Sequence, residues 1–181
     1  MSDYTMPKPL EYNFCPTCGS ELALHHDGQD HRPHCAGCLR FFYKNPIPAA
    51  CCFVTKPDGS LLYARRAVEP CLGMWTLPGG FVELDETTEE AALRELQEET
   101  NLRATSARLV GVSTKQSPRS GAVLVLGYHI EDWEGEEEMR PDTDASELRF
   151  FAPHERPQLP FSTHQELLEL FDRGQERNSW R

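Results

Sequence analysis

Four cysteines in two C-x-x-C pairs, Cys15 with Cys18 and Cys35 with Cys38, constrain this chain more than any other feature. Residues 19–34 separate the pairs, a spacing at which two knuckles wrap one tetrahedral zinc ion. Gly19 follows the first pair and Gly37 lies inside the second, where the missing side chain lets backbone amides turn toward thiolate sulfur. The surrounding segment, residues 13–44, is too short and too polar to build a core of its own, so it needs such a staple. The alternative, four cysteines buried in an apolar core, is opposed by those polar neighbours. His34 is a further candidate ligand, but four sulfurs already close the tetrahedron, which leaves it as an ordinary surface histidine. A closed site offers no open position to a substrate, so zinc here would be structural. Asp27 and Asp30 within the segment, with few basic residues around them, speak against a nucleic-acid role for it.

The rest of the 181-residue chain must hold the main core. We expect a flexible tail over residues 1–12, the zinc ribbon over 13–44, a stiff linker at Asn45-Pro46-Ile47-Pro48, the principal domain over 49–173 and a second tail over 174–181. At 39% hydrophobic and 26% charged residues the composition is that of a globular protein. The net charge of -11 repels extended nucleic acid and anionic membranes, and would also repel a small phosphorylated substrate unless bound cations invert the local sign. No apolar run reaches the roughly 18 residues of a membrane span, and Met1 to Leu10 has no apolar signal core. The odd count of seven cysteines, paired as C-x-x-C, suits a reducing compartment, so a cytoplasmic location is expected.

Within the principal domain, Ala49 to Thr55, the turn Lys56-Pro57-Asp58-Gly59-Ser60 and Leu61 to Arg66 predict a β-hairpin. A Gly/Pro loop, Gly73 to Gly80, leads to a helix predicted over Thr88–Thr100. Strands are predicted near Arg108–Thr114, Ala122–Ile130 and Leu148–Phe151, with a solvated acidic loop over Glu131–Glu138. A last helix is predicted over Thr163–Arg173, started by a capping box of Thr163 and Glu166. Mixed strands with two helices imply an α/β sandwich.

The first helix carries the chemistry. Thr87 and Glu90 stand at capping-box spacing, and a turn of about 100° per residue gathers Glu95, Glu98 and Glu99 on one arc and Leu93, Leu96 and Thr100 on another. A solvated acidic face is the commoner explanation of such a stretch, and composition alone does not decide against it. If the arc lines a cleft, two carboxylates about 4 Å apart repel by roughly 4 kcal/mol at an effective dielectric near 20, and a divalent cation is the natural compensation. Hard oxygens without thiolate or imidazole favour Mg²⁺ or Mn²⁺.

Gly80, Glu86, Arg94, Glu95, Leu96, Glu98, Glu99 and Leu102 together resemble the signature box of Nudix hydrolases. Asn101 departs from it, standing where the family has glycine. Asparagine is the next best residue at a left-handed helix end, so the fold should survive. The resemblance implies a Nudix α/β/α sandwich with a mixed sheet, preceded by the small zinc ribbon. It implies that Glu95, Glu98, Glu99 and the Gly80 carbonyl bind Mg²⁺ or Mn²⁺ and that Arg94 pairs with Glu86 and orients the glutamates. Water would attack, activated by one of these carboxylates or by a distal one among Glu131, Glu136, Glu137, Glu138 and Glu147. The order of ribbon, Asn-Pro linker, Gly-x-Trp-Thr-Leu-Pro-Gly-Gly loop, box and the late Phe161-Ser162 is most similar to plant-type FAD and ADP-ribose pyrophosphatases. The implied reaction is hydrolysis of FAD or ADP-ribose to release AMP. NADH pyrophosphatases share ribbon and box, but Lys115-Gln116-Ser117-Pro118-Arg119-Ser120 stands where they carry Ser-Gln-Pro-Trp-Pro-Phe-Pro.

Three residues outside the box are candidate substrate contacts. Arg66 alternates with Arg65 on a strand, so one of them can reach a phosphate while the other is solvated. Trp75 either stacks on a base or anchors its loop, and Pro118 matches a loop proline of ADP-ribose hydrolysing relatives but is also an ordinary turn residue. Cys51, Cys52 and Cys71 have no paired base and read as inert thiols. The alternatives are a nucleotide-binding regulator without turnover and an NADH or capped-RNA pyrophosphatase. A small-molecule nucleotide is the expected partner, and a homodimer the expected assembly.

Overall fold

The computed structural model describes residues 11–117, 121–142 and 144–178; Pro118 and most of the expected N-terminal tail lie outside the described residues. The chain divides into two compact units. One holds residues 47–115 and those from 123 onward, the other the segment before 47 with residues 116, 117, 121 and 122.

In the smaller unit β1 (Ala23–His26), β2 (His31–Cys35) and β3 (Arg40–Phe41) form an antiparallel sheet in that order. Asp27 builds the turn between β1 and β2. Its Oδ1 accepts from the amides of Gln29 and Asp30 at 2.9 Å each, and its Oδ2 accepts from Arg32 Nε at 2.8 Å. These amide bonds, then the guanidinium, hold the Asp27 carboxyl down at about 2. His34 is not the surface histidine expected. Its ring packs 4.6 Å from Phe41 and 5.0 Å from His25, and its Nδ1 is buried without a partner among the described residues.

The larger unit contains β4 (Ile47–Val54), β5 (Leu61–Arg66), β6 (Trp75–Thr76), β7 (Gly79–Phe81), α1 (Thr88–Thr100), most of β8 (Arg108–Ser117) and β9 (Gly121–Ile130), β10 (Ala145–Phe151) and α2 (Ser162–Asn178). One sheet has the order β7-β4-β9-β8, with β4 parallel to β9 and antiparallel to β7; the other has the order β10-β5-β6 and is antiparallel. Alternation along β4 creates the layers. Ala49, Cys51 and Phe53 join one buried cluster with Leu167 and Phe171 of α2, whereas Ala50, Cys52 and Val54 join the other with Ala91, Ala92 and Leu96 of α1. A helix therefore covers each face, which is the α/β/α sandwich with a mixed sheet.

Four expectations need correction. Residues 49–66 form only the turn end of a hairpin, with Lys56 N–H on Ser60 O at 3.0 Å and a single antiparallel bridge between Thr55 and Leu61. Both edges of β4 are taken by β7 and β9, and both edges of β5 by β10 and β6, so the two consecutive strands enter different sheets. Ile47 and Pro48, assigned to the linker, open β4 because Ile47 pairs with Val123. Thr163 is buried one residue inside α2, and Glu166 does not cap the helix but accepts from Ser113 Oγ at 2.6 Å and pairs with Lys115 at 2.6 Å. Residues 174–178, expected as tail, extend α2, since a single exposed glycine costs only about 1 kcal/mol in a helix. No described helix is long and apolar enough to cross a membrane.

Candidate active site

The site is built where β7 passes into α1. Gly79 has φ 146, and a Cβ there would run into the Ala50 carbonyl, so only glycine lets β7 lie this close to β4. A Cβ on Gly80 would run into the Glu95 carboxylate, so a side chain there would displace Glu95 from its present position. The helix then starts as its sequence dictates: Thr87 Oγ1 accepts from Glu90 N–H at 3.2 Å, and Glu90 Oε2 accepts from Thr87 N–H at 2.7 Å. It ends at Asn101, which has φ 62 and ψ 9, donates its N–H to Gln97 O, and donates Nδ2 to Glu138 O at 3.1 Å. Asparagine thus does at this helix end what a glycine would, and adds a bond.

Arg94 organises the acidic face. Its Nε and Nη2 donate to the two oxygens of Glu86 at 2.9 and 2.7 Å, its Nη1 to Glu95 at 2.8 Å and Glu98 at 3.0 Å, and its Nη2 also to Phe81 O at 3.0 Å. The forked pair with Arg94, helped by the Glu83 amide, holds the Glu86 carboxyl at about 2. Glu95 is pushed the other way: burial raises it, against the pull of Arg94. Glu99 accepts from Gly79 N–H at 3.0 Å, yet burial first, and then the charges of Glu95 and Asp144, lift it to about 7. Glu98 is the open member, with its side chain 57% exposed against 14% for Glu95. The solvated-helix alternative therefore fails for Glu95 and Glu99, which face protein rather than bulk water.

The remaining candidates scatter. Arg66 is drawn in: its charge acts on Glu99, its Nε donates to Pro70 O at 2.6 Å, and its guanidinium stands 5.5 Å over the Phe161 ring. Arg65 turns outward to Gly73 O and Glu147. Trp75 is half-buried and edge-on to Phe151 at 5.0 Å. Of the distal carboxylates, Glu131 meets His129 and Arg108, Glu136 meets Lys56, Glu138 meets Arg103 and Glu147 meets Arg65. Glu137 is exposed. Sequence reasoning missed Asp144, whose charge reaches Glu99, and His164, whose Nδ1 lies 3.1 Å from Thr76 Oγ1. Neither carries a motif: Asp144 is brought in by the pairing of β10 with β5, and His164 by α2, both far from the box in sequence.

In the smaller unit, the Sγ atoms of Cys15, Cys18, Cys35 and Cys38 all lie within 4.8 Å of one another. Sulfurs on a tetrahedral zinc at about 2.3 Å sit about 3.8 Å apart; Cys15 and Cys38 are 3.9 Å apart, and Cys18 and Cys35 3.5 Å. The four thiols fit zinc. Among the described residues the three glutamates do not converge this closely, because Arg94 holds two of them and the Gly79 amide the third.

Fold and site together define an α/β/α sandwich with an acidic loop–helix motif clamped by one arginine. The chain belongs to the NUDIX domain family, whose model matches residues 45–172. It is 35% identical over 133 residues to a protein of Methanocaldococcus jannaschii named ADP-ribose pyrophosphatase, covering 72% of this chain and 76% of that one. It is 29% identical over 150 residues to the NAD-capped RNA hydrolase NudC of Pseudomonas entomophila, covering 83% of this chain. The chain spans about half the length of that relative, 51%. A NUDIX hydrolase from Nitrosomonas europaea superposes with a TM-score of 0.73 at 28% identity, over 90% of this chain and 93% of that one. A MutT NUDIX hydrolase from Burkholderia pseudomallei does so with 0.62 at 26% identity, over 70% and 98%.

Proposed function

We propose that the chain hydrolyses the pyrophosphate bond of a nucleoside diphosphate conjugate, ADP-ribose or FAD, and releases AMP. The observation that carries this reading is the half-buried glutamate pair, Glu95 and Glu99, whose carboxyls are lifted by burial beside the open Glu98. Carboxylates so placed are stable as anions only beside a cation. Glu95, Glu98, Glu99 and the Gly80 carbonyl form a set of hard oxygen donors suited to Mg²⁺ or Mn²⁺. A divalent ion held by them would supply charge neutralisation for the diphosphate and a more acidic water.

The protein's own groups do the rest. Arg94 fixes the directions of Glu95 and Glu98, and Glu86 fixes Arg94. Arg66, near Glu99 and tied by its Nε alone among the described residues, is placed to take a phosphate oxygen. A water attacks in line, and its proton goes to Glu98 or to a distal carboxylate, among which Asp144 joins Glu131, Glu136, Glu137, Glu138 and Glu147. The cysteine cluster holds structural zinc. The paired C-x-x-C spacing of those four ligands supports a reducing, cytoplasmic setting.

The name of the Methanocaldococcus relative supports ADP-ribose; FAD rests on the sequence resemblance to plant-type pyrophosphatases. The names of the NudC relatives support a second reading, hydrolysis of an NAD-capped RNA end. Incubation of ADP-ribose, FAD, NADH and an NAD-capped oligonucleotide with Mg²⁺ or Mn²⁺, reading released AMP or the monophosphorylated RNA end, separates the two. Product from ADP-ribose or FAD supports the first; turnover of the oligonucleotide alone moves the assignment to the second, and no product from any of them overturns both.

A further inference from the structure

The imidazole of His129 is buried away from the glutamates. It belongs to β9, in register with Phe53 of β4, and only 2% of its side chain is exposed. Its ring stands edge-on to Phe171 of α2, with the centroids 4.9 Å apart. Polar groups from three other segments meet its two nitrogens. Thr55 Oγ1, just after β4, lies 2.9 Å from Nε2. Arg108 Nη2, at the start of β8, and Glu131 Oε1, just after β9, lie 2.8 and 2.9 Å from the same atom, Nδ1. Arg108 and Glu131 are themselves 3.6 Å apart and are the two charges acting on the ring; Thr55 and Phe171 bring none.

One nitrogen cannot serve both charged neighbours. With a lone pair, Nδ1 accepts from the guanidinium and offers the carboxylate nothing; with a proton, it donates to the carboxylate and meets the guanidinium as a second donor. Nε2 does not choose between these forms, because a hydroxyl either accepts or donates. We propose that His129 is a proton-operated switch: neutral, its Nδ1 holds Arg108, and protonated, it passes its bond to Glu131 and releases Arg108. The proton comes from solvent and returns to it. Burial, the largest influence, and Arg108 press the imidazole below its usual 6.5, against the pull of Glu131, so the exchange falls on the acid side of neutrality. Arg108 shares a hollow of about 60 Å³ with Val110 of β8 and with Leu170 and Phe171 of α2, so its release loosens the seam between strand and helix. The change stays local. Ala107 N–H still donates to Glu89 Oε1 of α1 at 2.9 Å and anchors the entry to the strand.

Proton NMR titration of the His129 ring C–H resonance in the full chain, assigned through its bonded carbons and nitrogens, tests this without any substrate. The midpoint should lie below 6.5. Arg108→Gln removes the group that claims the lone pair and should raise the midpoint by about half a pH unit; Glu131→Gln removes the acceptor of the proton and should lower it by about as much. Both side chains are more than half exposed, so the fold should survive either change. In the unmodified chain the Arg108 guanidinium resonance should step at the same midpoint as the imidazole. Shifts of the same sign in the two variants, an Arg108 signal that stays flat while His129 titrates, or a ring that takes no proton before the protein unfolds would each overturn the switch.

Discussion

Replacing Glu99 by glutamine should stabilise the protein in magnesium-free buffer, and do so increasingly as the pH rises. A glutamate ionises ordinarily at 4.5, whereas Glu99 in the fold holds its proton to about 7. The native state therefore binds more protons than the unfolded chain between these values, and stability declines as pH climbs through that window. Below 4.5 the group costs nothing; above about 7 the whole penalty, on the order of 3 kcal/mol, is present. Glutamine keeps an oxygen for the Gly79 amide and removes the charge. The gain from Glu99→Gln should thus be under about 1 kcal/mol at pH 5 and grow to about 2–3 kcal/mol at pH 8. For a chain of this size that is about 5–10 °C in Tm. Melting both proteins across the pH range, in metal-depleted buffer without a strong chelator so that zinc proposed for the cysteine cluster is not stripped, reads the difference directly. A gain that is independent of pH, or a variant less stable at pH 8, would refute the argument that burial dominates the Gly79 bond and Arg66. Adding Mg²⁺ should reverse the ranking, because only the unmodified chain can offer the anion.

Other outcomes follow from the same contacts. Glu98→Gln should lower kcat for ADP-ribose by at least about 10²-fold with Tm unchanged, since its side chain is mostly solvated; equal steady-state rates would remove Glu98 from the mechanism. Arg94→Lys cannot reproduce the fork on Glu86 and should cost about 2 kcal/mol in denaturant titration together with activity, and an unaltered midpoint would contradict the clamp. Asn101→Ala, forced to hold φ 62 without a side-chain bond, should lose about 1–2 kcal/mol by the same titration. Cys38→Ser should lower the zinc content measured by atomic emission from one ion per chain toward none.

What could be read from sequence was local. Thr87, Glu90 and the periodic glutamates lie within a few turns of one another, and the predicted Thr88–Thr100 is the observed helix. The cysteine pairs work the same way, each knuckle closing over four residues. The hairpin failed because its turn was right while its pairing was decided elsewhere: β4 takes β9 as a parallel neighbour, with Ile47 opposite Val123. Nothing within residues 49–66 encodes that choice. Glu166 shows a related limit, since its capping spacing lost to Ser113 and Lys115, partners some fifty residues away in sequence. Asp144 and His164 were invisible for this reason too, having neither spacing nor neighbours that announce a role.

The distribution of cations argues most directly for metal dependence. A diphosphate approaching a chain of net charge -11 needs positive charge at the point of reaction. Arg94, the cation nearest the glutamates, has all three guanidinium nitrogens bonded to Glu86, Glu95, Glu98 and Phe81 O, so none is left for substrate. Arg65 is turned to Gly73 O and Glu147. Arg66 remains, a single charge facing two or more negative ones while Glu99 and Asp144 stand beside it. One guanidinium cannot balance a diphosphate and the carboxylates together, so the proposed reaction needs divalent ions to bring the balance, and Arg94 is committed to aiming the glutamates proposed to hold them.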